Sequence, residues 1–332
     1  MTIRAKPLAS WVVPPDSPPR SELRVGVRAG IAAYLLWAGL TVYWKQLTAF
    51  DAIELIAWRI LAASVVMAIV VTVRGRWPVL RAAARSRRMV ARIALAAVLL
   101  TINWTSYVYA VIDGRVIETA LGYFMAPLGT MILGIVVLHE RPRPLQKVAL
   151  VCAAGAVVVL TVTYGEPPLL ALMIAVSWSL YGLLKRQIPL TAIESLTGET
   201  FVLVLPALVT VIVMAGRSDS IPATATAGEW ALISMTGLVT AVPLLLFAIA
   251  AQRVPFQILG PLQYLVPTIN FILGWLVYDE SLPPERLIGF SVVWVGLAAT
   301  AIDQVIVART FPQGGERSIP EHPPLDNLRP GR

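Results

Sequence analysis

Ten stretches of nearly uninterrupted apolar residues, parted by short polar blocks, set the pattern of this chain. They run about 27–44, 53–73, 90–112, 116–138, 146–163, 168–184, 196–215, 230–252, 256–278 and 286–307. Each is close to the roughly 20 residues that carry an α-helix through the hydrocarbon of a bilayer. The pattern predicts an all-α polytopic membrane protein with ten transmembrane helices.

The pattern also repeats. Displacing the chain by 140 residues sets Ala52-Ile53-Glu54 on Ala192-Ile193-Glu194, Ala110 on Ala250 and Pro127 on Pro267. Ile132-Leu133-Gly134 then meets Ile272-Leu273-Gly274, and Val137, Glu140 and Pro144 meet Val277, Glu280 and Pro284. Self-similarity at one offset marks an internal repeat. In a chain this apolar it implies a membrane transporter made from two copies of one half. Residues 26–165 form the first repeat and 166–308 the second. Five spans per copy is an odd number, so the second copy enters the membrane from the other side. The expected architecture is two inverted five-helix repeats.

Composition agrees with a bilayer. Of 332 residues, 57% are hydrophobic and 14% charged, against roughly a quarter charged in soluble domains. The net charge of +8 could suggest nucleic acid, but no basic, aromatic-rich soluble domain exists to carry that role. With the N-terminus in the cytoplasm, inside segments hold 22 of the 27 Lys and Arg. The outside loops hold Lys45, Arg115, Arg217 and Arg286, and Arg59 lies within a span. This is the positive-inside bias; it predicts cytoplasmic termini and basic loops facing anionic lipid. Residues 1–25, with five prolines and no apolar core, are not a cleavable signal. Together with 309–332 they are expected to be disordered cytoplasmic tails. A lone Cys152 rules out an internal disulfide framework, and isolated His139 and His322 give a metal site little support. No cofactor is implied.

Candidate site residues come from polar and helix-breaking positions inside the spans. Pro127 and Pro267 are repeat mates, each eleven residues past the first residue of its span. Proline there frees a carbonyl, on Tyr123 and on Gln263, which a bilayer tolerates only against protein or a wet cavity. Tyr123, Gln263 and Tyr264 are therefore expected to line a midplane cavity. Asn103, Trp104, Tyr107 and Asn270, with Gln252 and Gln257 nearby, add hydrogen-bonding capacity. Trp37, Trp178 and Tyr181 could stack on a ligand, while Trp44 and Trp77 read as interfacial anchors. Gly129, Gly134 and Gly289 read as sites of close helix packing. Arg59, about seven residues into the second span, and its repeat mate Glu199, about four into the seventh, are charges within spans that inversion places toward opposite leaflets. Glu118 lies closer to the depth of Arg59 and is its expected partner; all three are gating or ion-coupling candidates.

The strings Ile102-Asn103-Trp104, Glu118 through Phe124, Pro127-Leu128 and His139-Glu140-Arg141 resemble the RarD group. So do Leu196 through Thr200, Pro243 through Phe247 and Leu262 through Thr268. That group belongs to the EamA branch of the drug/metabolite transporter superfamily, and the likeness spans about residues 26–307. It implies ten helices in two EamA repeats, an inner-membrane location and transport of a small molecule. It carries over no catalytic residues.

Two other classes fit less well. A membrane-embedded enzyme lacks support because the chain has no H-E-x-x-H, no G-x-S-x-G and no close carboxylates at membrane depth. A ligand sensor has no signalling domain to report binding. Without a P-loop, direct ATP hydrolysis is not expected; proton coupling through Glu199 or Glu118, exchange and facilitation all stay open. Partners are lipid and a small substrate, with the chain acting as a monomer or homodimer.

Overall fold

The computed structural model describes residues 20–164, 167–254 and 261–310; the expected tails, Gln257 and the start of the ninth span lie mostly outside these limits. Regular structure among the described residues is helical. The helices are α1 (Arg20–Trp44), α2 (Ala52–Val73), α3 (Trp77–Ala84), α4 (Arg87–Ile112), α5 (Val116–Leu138) and α6 (Pro144–Tyr164). After these come α7 (Leu169–Lys185), α8 (Ala192–Met214), α9 (Ile221–Thr224), α10 (Ala227–Arg253), α11 (Leu265–Ile272) and α12 (Pro284–Thr310).

The starts of these helices are written locally. Asp51 caps α2 by accepting from Ile53 and Glu54 N–H, and Ser86 caps α4 through Met89 N–H. Thr191 with Glu194, and Thr226 with Glu229, form reciprocal capping boxes on α8 and α10.

Among the described residues, eight helices are long and apolar enough to cross a membrane. Of the other two expected spans, the sixth is the 17-residue apolar helix Leu169–Lys185, and the ninth, whose first residues lie outside the described ones, contains the apolar segment Leu265–Val277. The ninth is broken by a turn at Gln263–Tyr264 and ends in a π-helical segment, Leu273–Val277. Pro267 consequently sits in the first turn of α11, where its missing N–H deprives no carbonyl, whereas Pro127 does lie inside α5. The expected pair of matching proline kinks is thus one interior proline and one helix start. Two further boundaries differ. Residues 20–25, assigned to the tail, begin α1, and the arginine-rich loop folds its Trp77–Ala84 stretch into α3.

Packing interleaves the two halves. Helix α2 lies on α8, α5 on α11 and α6 on α12; α1 lies on α10, and α7 on both α4 and α5. Glycine lets several of these backbones approach. A Cβ on Gly122 of α5 would fall 2.9 Å from the Ala171 carbonyl oxygen of α7, and one on Gly129 would strike Ser179. A Cβ on Gly289 of α12 would meet Leu160 of α6 at 2.7 Å, and one on Gly237 of α10 would run into the Ala62 carbonyl of α2. The outer faces are apolar too, with Val73, Val151, Val162 and Ile212 widely exposed. Such a surface suits lipid and not water.

One turn recurs in both halves. His139 (φ 55°) and Asp279 (φ 50°), repeat mates, both adopt the left-handed conformation. The next residue's N–H then returns to a glycine carbonyl, Glu140 to Gly134 (3.1 Å) and Glu280 to Gly274 (2.9 Å). Glu280 also accepts from Val116 N–H (2.5 Å) and Ile117 N–H (2.8 Å), tying the 278–283 connection to the start of α5. Burial pushes the Glu280 carboxyl above the usual range, opposed by those two donors.

Candidate functional site

A continuous set of buried polar and aromatic side chains threads the helices of both halves. On α1, Thr41 Oγ1 lies 2.8 Å from Tyr107 Oη of α4 and donates to Asn270 Oδ1 of α11 at 2.8 Å. Asn270 Nδ2 donates in turn to Thr119 Oγ1 of α5 at 3.2 Å. Tyr107 packs its ring 5.9 Å from that of Tyr123, whose hydroxyl donates to Asn103 Oδ1 at 3.2 Å. Asn103 Nδ2 donates to the Ile174 carbonyl and to Ser177 Oγ on α7. Tyr123 then meets Trp178 edge-on at 6.2 Å, and Trp178 stacks on Tyr181 at 5.7 Å. Trp178 keeps 39% of its surface exposed.

Tyr181 leads to a buried charge. Its hydroxyl donates to Glu199 Oε2 at 3.0 Å, while Ser195 Oγ and Lys185 Nζ each reach Oε1 at 2.7 Å. Glu199 is fully buried, and the Lys185 side chain keeps 24% exposure. Ser195 and Glu199 are four residues apart on α8, so one helix face presents both.

Arg59 of α2 is buried at the other end of the same assembly. Its Nε donates to Thr240 Oγ1 of α10 at 3.0 Å. Its guanidinium lies 3.9 Å from the ring centre of Trp104 and 5.5 Å from that of Trp44. The expected Arg59–Glu118 pair is not formed. Arg115, one helical turn before Glu118, takes that carboxylate at 2.6 Å, a local contact that a residue on another helix cannot easily displace. Trp44 is likewise no interfacial anchor, being buried against Arg59.

The remaining expected residues scatter. Trp37 packs on Tyr34 and Phe247. Tyr264 lines a separate apolar groove of about 340 Å³ with Phe124, Thr268, Phe271, Trp294 and Leu297. Gln263 is exposed in its turn, Pro127 is half-buried and Pro267 buried, and neither proline side chain has a donor or acceptor to add to the network. Thr41, Thr119, Ser195 and Thr240 join the site without any mark in the sequence pattern. A hydroxyl that bonds its own helix backbone costs nothing to place in a span, so threonines and serines give no sequence signal. By sequence Lys185 is one more cation of the inside segments, although its place one helical turn beyond Tyr181 is a usable clue.

Comparison with known proteins settles the family. The model of the EamA-like transporter family matches the chain twice, at residues 24–162 and 167–302. This chain belongs to the EamA-like transporter family. Within it, the chain falls with the RarD group. Protein RarD of Streptomyces exfoliatus is 39% identical over 87% of this chain and 92% of its own. The uncharacterized transporter YojE of Bacillus subtilis is 35% identical over 86% of this chain and 96% of its own. A solved crystal structure with 19% identity superposes with a TM-score of 0.56, covering 86% of this chain and 98% of that one. At that identity the match concerns the fold alone. Family and fold make this EamA chain a multi-pass membrane transporter of the drug/metabolite type.

Proposed function

We propose that this chain is a secondary transporter that moves a small molecule across the bacterial plasma membrane by alternating access, as an exporter or exchanger. The observation that carries the reading is the Thr41–Asn270–Thr119 bridge continued through Tyr107, Tyr123 and Trp178 to Glu199. It joins helices of both halves with groups that a purely structural seam in lipid would not need. Polar groups at membrane depth are costly and mark substrate or ion paths.

In this reading the chain has ten crossing helices in two inverted repeats, with both termini cytoplasmic. Two features support it. Swapping the halves maps the packing onto itself: α1 on α10 becomes α7 on α4, and α2 on α8 returns to itself. The cations gather on the 74–92, 141–147 and 185–186 segments, which lie on one side of the membrane if every span crosses. Lipid surrounds the chain, which acts as a monomer or homodimer, and its activity is transport, not catalysis.

A counterflow screen in proteoliposomes against amino acids, nucleosides and amphenicol drugs tests the reading. Protein-dependent exchange of one class, reduced by Tyr123→Ala and Asn270→Ala at unchanged expression, is the expected outcome. Unaltered exchange per folded molecule in both variants would assign the network to packing.

A further inference from the structure

Arg59 is 4% exposed, yet its one hydrogen bond among the described residues leaves through Nε. Guanidinium carries five N–H donors, so the four on its terminal nitrogens have no protein acceptor there. No carboxylate closes on it. The ion pairs among the described residues are Arg76–Glu194, Arg115–Glu118, Arg143–Asp303, Lys185–Glu199 and Arg217–Asp219. A second donor nearby is also orphaned: Trp44 Nε1 is buried without a partner, on the ring 5.5 Å from the guanidinium. The site therefore offers more N–H donors than the acceptors bonded to them.

The repeat sharpens the point. Lys45 and Arg59 are the mates of Lys185 and Glu199. In the second half the lysine and the acid close on each other. In the first half both positions are cationic, and Lys45 rests over the Tyr278 ring at 4.9 Å. One copy of the repeat neutralises itself; the other holds a buried cation that cannot shed its proton. Stacking on Trp104 occupies a face of the guanidinium and leaves its N–H edge, the edge that grips a carboxylate through two parallel bonds. Trp44 and Tyr107 belong to one buried cluster against which Trp104 and Tyr123 pack, and this joins the guanidinium's aromatic surroundings to the network.

We propose that Arg59 is a substrate-binding residue and that the transported molecule is a small organic anion, a carboxylate with an apolar or aromatic body. Trp104 and Trp44 form the aromatic wall, and Thr240 fixes the guanidinium through Nε. The inference rests on the transport reading above.

The test uses shape-matched pairs: indole-3-acetate against indole-3-acetamide, and benzoate against benzamide. Binding is read by thermal shift of the detergent-solubilised full chain, and flux by counterflow in proteoliposomes. The carboxylates should bind and the amides should not. Arg59→Gln should weaken carboxylate binding by about tenfold or more, and Arg59→Lys should fall between. Arg217→Gln, which removes an exposed cation paired with Asp219, should change nothing. The wild-type comparison of acid with amide stands even if Arg59→Gln fails to fold. Equal binding of amides, full affinity in Arg59→Gln, or no carboxylate binding would each overturn the proposal. So would equal stabilisation by chloride or acetate, which would mark a resident small-anion site. Arg59-dependent binding without flux would sink the transport reading and leave the anion site standing. Arg59-independent flux of neutral molecules would do the reverse.

Discussion

Glu199 and Lys185 form the one ion pair in the candidate site, and its two halves are buried unequally. The Glu199 carboxylate is fully buried, whereas the Lys185 side chain keeps 24% of its surface exposed. Breaking a fully buried pair typically costs about 3–5 kcal/mol. Glu199→Gln should cost less, about 1–2 kcal/mol, because Tyr181 and Ser195 still bond the amide and the lysine finds water. Lys185→Met should cost about 2–4 kcal/mol, because a buried carboxylate is left with two hydroxyl donors and no cation. The double variant should lose little more than Lys185→Met alone, a coupling of about 1–2 kcal/mol. The assay heats the detergent-solubilised chain and follows the surviving folded fraction by size-exclusion chromatography. With roughly 2–4 °C per kcal/mol for chains of this scale, Lys185→Met should lower the midpoint by roughly 5–10 °C, and Glu199→Gln by about half of that. Additive losses, or a Glu199→Gln drop at least as large as that of Lys185→Met, would refute the argument.

Further expectations follow from the same geometry. Gly122→Val should depress folded yield strongly, since its Cβ alone lies 2.9 Å from the Ala171 oxygen, and the yield of Gly39→Val, with nothing within 4 Å, should hold; equal yields would refute the notch. Thr41→Val removes the donor to Asn270 and the contact with Tyr107, and should cost about 1–2 kcal/mol in the same thermal assay. Because folded Glu280 keeps its proton to higher pH than the unfolded chain, its contribution is present below the usual carboxylate range and is lost as pH rises above it; Glu280→Gln should flatten that decline in a pH series of melting points. In a variant lacking Cys152, Ser218→Cys should label with an impermeant thiol reagent on intact cells and Ser86→Cys should not; the opposite pattern would reverse the orientation.

Sequence reading went furthest where one residue alone decides the physics. A long apolar run must be a helix in lipid, and α5 was expected over 116–138 and found at Val116–Leu138. A charge at membrane depth must be buried or wet, which singled out Arg59 and Glu199. Partners were another matter. Thr240 lies 181 residues from Arg59 in the chain, and no local pattern marks which of many threonines will meet it. By sequence Arg115 is a loop cation, and only the folded chain shows that its three-residue spacing gives it first claim on Glu118. Trp44 closes a helix by sequence, but the chain folds that end inward and buries the ring. The broken ninth span escaped because the apolar run continues through the turn at Gln263–Tyr264, and hydropathy does not distinguish a helix from its interruption.

The glycine notches bear on how such a chain can be inherited. Gly122 and Gly129 on α5 receive α7, Gly289 on α12 receives α6, and Gly237 on α10 receives α2. Every one of these seats in one matched family segment is filled by a helix of the other. A single segment released by itself would present empty grooves and have no second surface of its own to close them. The repeat is thus a unit of descent without being a unit of folding. Once two copies had grown into each other's grooves, neither could be deleted, exchanged or enlarged at those positions independently of its twin.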